Sequence, residues 1–160
     1  CWKLNESDSV QKIYVAPGNA GTLKVAENLD IDILNFNELK NSIIERSVDL
    51  VIVGPEIPLI EGIVDFITNE PELNSTLVVG PSKAGAMLEG SKDFSKEFMF
   101  KHNIPTAKYK SFNQEDLDAG LDYLDSVSAP YVLKADGPAA GKGVLIIDDL
   151  KEAKQELTNM

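Results

Sequence analysis

Two lysines and four glycine-bearing loops are the residues of this chain whose types and spacing could do chemistry. Lys134 stands in the apolar run Tyr131-Val132-Leu133-Lys134-Ala135. An ammonium taken out of water is costly unless it is paired, so an inward Lys134 implies a neighbouring anion. Strand alternation offers the other arrangement, with Leu133 inside and Lys134 solvated. Lys92 begins a helical segment, where the macrodipole disfavours a cation, so it either meets an anion or reaches solvent. The loop Asp136-Gly137-Pro138-Ala139-Ala140-Gly141-Lys142-Gly143 joins two strands. Its small residues allow backbone amides to wrap phosphate oxygens. It is not a Walker A loop, because Gly143 replaces the magnesium-binding hydroxyl and a strand, not a helix, follows.

The other three loops each follow a short apolar run: Pro17-Gly18-Asn19-Ala20-Gly21-Thr22, Gly54-Pro55-Glu56-Ile57-Pro58-Leu59 and Gly80-Pro81-Ser82-Lys83. Gly18 and Gly21 let a ligand approach the backbone and supply N–H groups suited to phosphate; Thr22 adds a hydroxyl. Glu56 could accept hydrogen bonds from ligand hydroxyls such as those of a ribose. Gly and Pro also punctuate ordinary strand-to-helix turns, and that reading stands beside the functional one.

These loops need a scaffold, and the apolar pattern supplies one. Ile13–Ala16, Leu50–Val53 and Leu77–Val79 read as strands without polar alternation, expected to be buried on both faces of a parallel sheet. If they are parallel, all three loops leave one edge, where open α/β folds bind ligands. Asn37 is expected to cap a helix carrying Leu39, Ile43 and Ile44, and Pro58 to open one carrying Ile60, Ile63, Val64 and Ile67. Cys1–Asp8 reads as the tail of a helix with Trp2 and Leu4 turned inward, which implies that a first strand is missing. After Gly90 the pattern gives a helix over Ser91–His102 and a strand over Lys108–Phe112. A helix over Gln114–Leu124, strands over Tyr131–Ala135 and Val144–Ile147 and a helix over Leu150–Leu157 complete it.

Composition narrows the function classes. With 160 residues, 43% apolar and 26% charged, the chain is of globular type, one ordinary domain or two small ones. A net charge of −11 argues against non-specific nucleic-acid binding, which rests on neutralising phosphates. Small ligands held by locally arranged donors are the expected partners. The first 90 residues hold 6 basic and 14 acidic side chains and the last 70 hold 9 and 12, so the second part suits a polyanion better. No apolar run approaches the roughly 18 residues of a membrane span. Cys1 is the single cysteine, so no intrachain disulfide forms, and a cytoplasmic location is expected. His102, Cys1 and Asp125-Ser126 lack the partners that a zinc site, a thiolate nucleophile or a Ser-His-Asp triad requires.

Taken as strings, PGNAGT (Pro17–Thr22), GPEIPL (Gly54–Leu59), GPSKAGAMLEGSK (Gly80–Lys92), HNIPT (His102–Thr106) and LKADGPAAGKGV (Leu133–Val144) closely resemble the N-terminal part of phosphoribosylamine–glycine ligases. The resemblance covers essentially the whole chain in order. It implies an α/β architecture: a Rossmann-like parallel-sheet domain over 1–88, then a linker helix and the first part of an ATP-grasp domain over 89–160. It implies ATP-dependent joining of 5-phosphoribosylamine and glycine through a glycyl phosphate in purine biosynthesis, with Mg²⁺ (or Mn²⁺) held by residues outside this chain.

By the same resemblance Gly18, Asn19, Ala20, Gly21, Thr22 and Glu56 face phosphoribosylamine. Lys92, Lys134, Gly137, Ala139, Ala140, Gly141, Lys142 and Gly143 face ATP, the glycine-rich stretch acting as a flap. No nucleophile or base is assigned. Pro138 stands where the family usually has Leu, fixing φ and removing a donor. The family's G-x-G-G-R-E-H segment and the later acidic and glycine-binding parts are absent, so the 160 residues alone are expected to be inactive. Another ATP-grasp ligase, or a non-catalytic nucleotide-binding module, are the alternatives.

Overall fold

The computed structural model describes residues 1–138 and 143–160. The chain divides into two compact units, Cys1–Ala86 and Met87–Met160.

The first unit runs α1 (Trp2–Asn5), β1 (Tyr14–Val15), β2 (Glu27–Asn28), α2 (Phe36–Glu45), β3 (Leu50–Ile52), α3 (Glu56–Glu61), α4 (Ile63–Asn69) and β4 (Leu77–Val79), and then enters α5 (Lys83–Gly90). Strands β3 and β4 pair in parallel with Leu50 opposite Leu77 and Ile52 opposite Val79. Strand β1 pairs in parallel with β2 instead of joining them. The ladder therefore brings two of the three expected loops, after β3 and β4, to one end.

The core of this unit gathers Ile43 from α2, Leu59 from α3, Ile63 and Ile67 from α4, and Leu73, with Val51 and Val78 packed on it from the sheet. Each such buried aliphatic side chain contributes roughly 1.5–3 kcal/mol. The sheet is covered on that face alone. Leu77 is 70% exposed and Ile52 52%, against the expectation of strands buried on both faces. Side chains alternate across a pleat, so helices on one face bury only every second residue. Trp2 and Leu4 are also exposed, not turned inward, because α1 is a single turn that buries no residue.

Two helix starts differ from the sequence reading. Asn35, not Asn37, caps α2: its Oδ1 accepts from the Glu38 N–H at 3.2 Å while its Nδ2 donates to the Glu38 carboxylate. Pro58 does not open a helix. It lies buried within α3, which starts at Glu56 and ends at Gly62. Gly62 takes φ +97°, a left-handed conformation open to glycine, and so splits the expected single helix into α3 and α4.

The second unit runs α6 (Lys92–Lys101), α7 (Leu117–Ser126), β5 (Tyr131–Lys134), β6 (Val144–Ile147) and α8 (Leu150–Asn159). Ser91 caps α6, its hydroxyl accepting from the Phe94 N–H, and Asp149 caps α8, accepting from Glu152. Strands β5 and β6 form an antiparallel hairpin with Tyr131 opposite Ile147 and Leu133 opposite Leu145. Tyr131, Leu133 and Ile147 pack with Leu124 of α7 and Ala153 of α8. The expected strand over Lys108–Phe112 does not form. That segment is tied to α6 by side chains: Lys96 donates to Thr106 Oγ1 and to the Ala107 carbonyl, and Ser111 bonds the Asp93 carboxylate.

Candidate active site

In the second unit the hairpin register decides where Lys134 points. Leu133 is 7% exposed and packs inward, so Lys134 projects from the opposite face beside Val132, Val144 and Ile146. The inward, anion-requiring arrangement is thus replaced by the outward one. Beyond Lys134 the two chains stay paired, the Ala135 N–H donating to the Gly143 carbonyl at 2.8 Å.

The hairpin end is fastened to α6. The Lys92 ammonium donates to the Gly137 carbonyl at 2.7 Å. In return the Asp136 carboxylate accepts from the Lys92 N–H at 2.6 Å, the Asp93 N–H at 3.3 Å and the Ser91 hydroxyl at 3.0 Å. Burial acts to raise the Asp136 pKa, but hydrogen bonds from the Gly137 amide, the Ser91 hydroxyl and the Asp93 and Lys92 amides outweigh it. The carboxyl therefore titrates below the ordinary carboxylate range. A carboxylate at the start of α6 also favours the helix dipole and offsets the Lys92 cation placed there.

Lys92, Gly137 and Gly143 are thus brought to one end of the β5–β6 hairpin, and Lys134 lies two residues before Asp136 on its outer face. Ala139, Ala140, Gly141 and Lys142, expected in the phosphate-wrapping flap, lie outside the described residues. No local pattern in the sequence announces Asp136, because the Ser91, Lys92 and Asp93 groups that it binds lie more than forty positions away.

In the first unit the loop after β1 satisfies itself. Asn19 Oδ1 accepts from the Gly21 N–H at 2.8 Å and the Thr22 N–H at 3.1 Å. The Thr22 hydroxyl donates to Asn28 Oδ1 at 2.6 Å, and Asn28 donates back to the Asn19 carbonyl. Gly18 has φ +78°, and a Cβ there would lie 2.2 Å from the Asn28 side chain. The expectation that Gly21 offers an unengaged amide is therefore corrected. The N–H groups of Gly18 and Ala20 have no acceptor among the described residues. Glu56 is the first residue of α3, immediately after the β3 loop. A cavity of about 320 Å³ lined by Asn5, Gln11, Lys12 and Glu27, among others, includes none of these residues.

Among the described residues no group of three or more His, Cys, Asp or Glu side chains could hold a metal ion. Among the described residues no helix is long and apolar enough to cross a membrane.

Comparison with known proteins adds independent findings. The family described as "Phosphoribosylglycinamide synthetase, N domain" matches residues 1–89, and "Phosphoribosylglycinamide synthetase, ATP-grasp (A) domain" matches residues 90–160. The phosphoribosylamine–glycine ligase of Caldanaerobacter subterraneus is 46% identical over 158 residues, covering 99% of this chain and 36% of that protein. That of Clostridium acetobutylicum is 44% identical over 156 residues, covering 98% and 36%. The chain thus spans about 36% of the length of these curated relatives. The crystal structure of the Thermotoga maritima phosphoribosylamine–glycine ligase matches 98% of this chain and 35% of its own, with a TM-score of 0.67 and 28% identity. The biotin carboxylase domain of the Hydrogenobacter thermophilus 2-oxoglutarate carboxylase, crystallised with MgADP, matches 86% of this chain and 31% of its own. Its TM-score is 0.64 at 20% identity, a likeness of fold alone.

Proposed function

The chain belongs to the phosphoribosylglycinamide synthetase family, and from that premise we propose that it supplies the amine-binding and part of the ATP-binding surface of a phosphoribosylamine–glycine ligase. In that reaction ATP activates the glycine carboxylate as an acyl phosphate, and the amine of 5-phosphoribosylamine then displaces phosphate to form the amide. The observation that carries this reading is the hairpin end, where Lys92 bonds Gly137 and Gly143 pairs with Ala135 next to an outward Lys134.

Phosphoryl transfer needs cations and N–H donors aimed at the oxygens where charge develops. The Lys134 ammonium makes no hydrogen bond or ion pair among the described residues, and it would serve a polyanion on the outer face of the hairpin. Lys92 spends one donor on Gly137 and keeps two. The stretch from Gly137 to Gly143 would close over the phosphates and keep water from the acyl phosphate. In the first unit the amides of Gly18 and Ala20 would take the sugar phosphate, Asn19, Gly21 and Thr22 would hold the loop in shape, and Glu56 would accept from ribose hydroxyls. Residues 1–88 are proposed as the amine-binding domain and 89–160 as the linker helix and beginning of the nucleotide-binding domain. The protein positions and neutralises; none of its side chains is asked to act as a nucleophile.

The test is turnover in this chain joined to the remaining length of a family ligase. ATP, glycine and phosphoribosylamine should together give ADP. Lys134→Ala and Lys92→Ala should each raise the KM for ATP about tenfold or more, as expected for losing a charge-assisted contact. An unchanged KM for ATP in both variants would remove the nucleotide assignment.

A further inference from the structure

We propose that Asp136 is a positioning residue that grips the first turn of α6 and so fixes Lys92 and the entrance of the glycine-rich loop against each other before nucleotide arrives. The inference rests on the nucleotide reading above and assigns a residue that the reading itself does not use.

The first amides of a helix have no intrahelical acceptor. In α6 they are shared between two acceptors of different origin. Ser91, local in sequence, takes the Phe94 N–H at 3.1 Å. Asp136, from beyond the end of β5, takes the Lys92 and Asp93 N–H groups and the Ser91 hydroxyl. A cap from Ser91 alone would already start the helix, so the remote carboxylate adds something besides helix formation: it ties α6 to the hairpin. The tie runs in both directions, because the Lys92 ammonium reaches back to the carbonyl of Gly137, the residue after Asp136.

The consequence is geometric. Lys92 has four rotatable side-chain bonds, and its ammonium is useful to a phosphate only if its backbone is held relative to the loop. With the Lys92 N–H on Asp136 and its ammonium on Gly137, both ends of the residue are attached to the same dipeptide. Lys134, the last residue of β5, stands two positions before Asp136, so the clasp sets the spacing between the two cations as well. The low Asp136 pKa agrees with a carboxylate kept ionised by these contacts, the Gly137 amide, the Ser91 hydroxyl and the Asp93 and Lys92 amides together outweighing its burial.

The test has two readouts. In the ligand-free chain, Asp136→Ala should speed amide hydrogen exchange at Lys92 and Asp93 about tenfold or more, while the Ile147 amide is unaffected. In the chain joined to the rest of a family ligase, the same variant should raise the KM for ATP about tenfold and leave the KM for glycine unchanged. Asp136→Asn, which retains an acceptor oxygen but loses the charge, should raise both the exchange at Lys92 and Asp93 and the KM for ATP by less than the alanine variant does, and it carries the test if the alanine variant does not fold. Unchanged exchange at Lys92 and Asp93 would overturn the clasp. Faster exchange with an unaltered KM for ATP would leave a helix cap and overturn the positioning role. Because exchange is measured without nucleotide, failure of the ATP reading shows separately, as wild-type ligase turnover indifferent to Lys92→Ala.

Discussion

The ammonium of Lys92 lies 2.7 Å from the carbonyl oxygen of Gly137, a residue 45 positions later in the chain. That bond joins a helix start to a loop entrance, and with it the polar end of the hairpin becomes one unit of structure. The consequences for stability and function can be separated by experiment.

Asp136 makes part of that stability pH-dependent. Its folded pKa lies below the ordinary carboxylate value of about 3.9. Its contribution is therefore fully present above that value and is lost as pH falls through the lower folded pKa. The difference in urea midpoint between the wild type and Asp136→Asn should be largest near pH 6 and shrink toward pH 2.5. A difference constant across that range would show that the carboxylate is not held as described.

The two faces of the hairpin should respond differently to truncation. Leu133 packs inward at 7% exposure while its neighbour Val132 is exposed. Leu133→Ala should cost roughly 2–5 kcal/mol by leaving a cavity, and Val132→Ala well under about 1 kcal/mol as a surface change. Equal losses in urea denaturation would contradict the register that turns Lys134 outward.

Gly62 separates α3 from α4 at φ +97°, and a Cβ there would come within 3.3 Å of the Lys83 side chain. Gly62→Ala should destabilise the first unit by about 1–2 kcal/mol, the cost of a left-handed alanine. The melting of this unit, followed through amides of β3 and β4, is the measurement. An unaltered transition would mean that the two helices join without this turn.

The loop after β1 depends on the Thr22–Asn28 pair, whose hydroxyl-to-carbonyl distance is 2.6 Å. Thr22→Val keeps the shape and removes the bond, at about 1–2 kcal/mol for an unsatisfied, part-buried acceptor. In a ligase carrying this chain, it should raise the KM for phosphoribosylamine and not that for ATP. A change in the ATP constant instead would move this loop to the other substrate.

Local patterns in the sequence revealed local structure. The helices expected over Ser91–His102 and Leu150–Leu157 form, each started by a local side chain, Ser91 accepting from the Phe94 N–H and Asp149 from the Glu152 N–H. Asn35 also carries a cap signal, Glu38 three residues on, while Asn37 lies nearer the first periodic leucine. The family strings led to Lys92 and Lys134, while the direction of Lys134 waited on the register of Leu133 against Leu145. Strand β2, only Glu27–Asn28, has no apolar run to announce it. Asp136 on Lys92, and likewise Asp65 Oδ2 on the Lys83 N–H at 2.5 Å, are helix starts completed from distant positions. Only folding makes such neighbours.

The central claim is that Lys92 and Lys134 lie against the phosphates of one bound ATP. An ATP analogue acylated on its terminal phosphate tests it directly. A lysine amine close to that phosphate attacks the acyl carbonyl, forming an amide on the protein and releasing ATP. With this chain joined to the rest of a family ligase, peptide mapping should find the acyl group on Lys92 or Lys134, and excess ATP should suppress it. Labelling that spares both lysines, or that ATP does not compete away, would contradict the account.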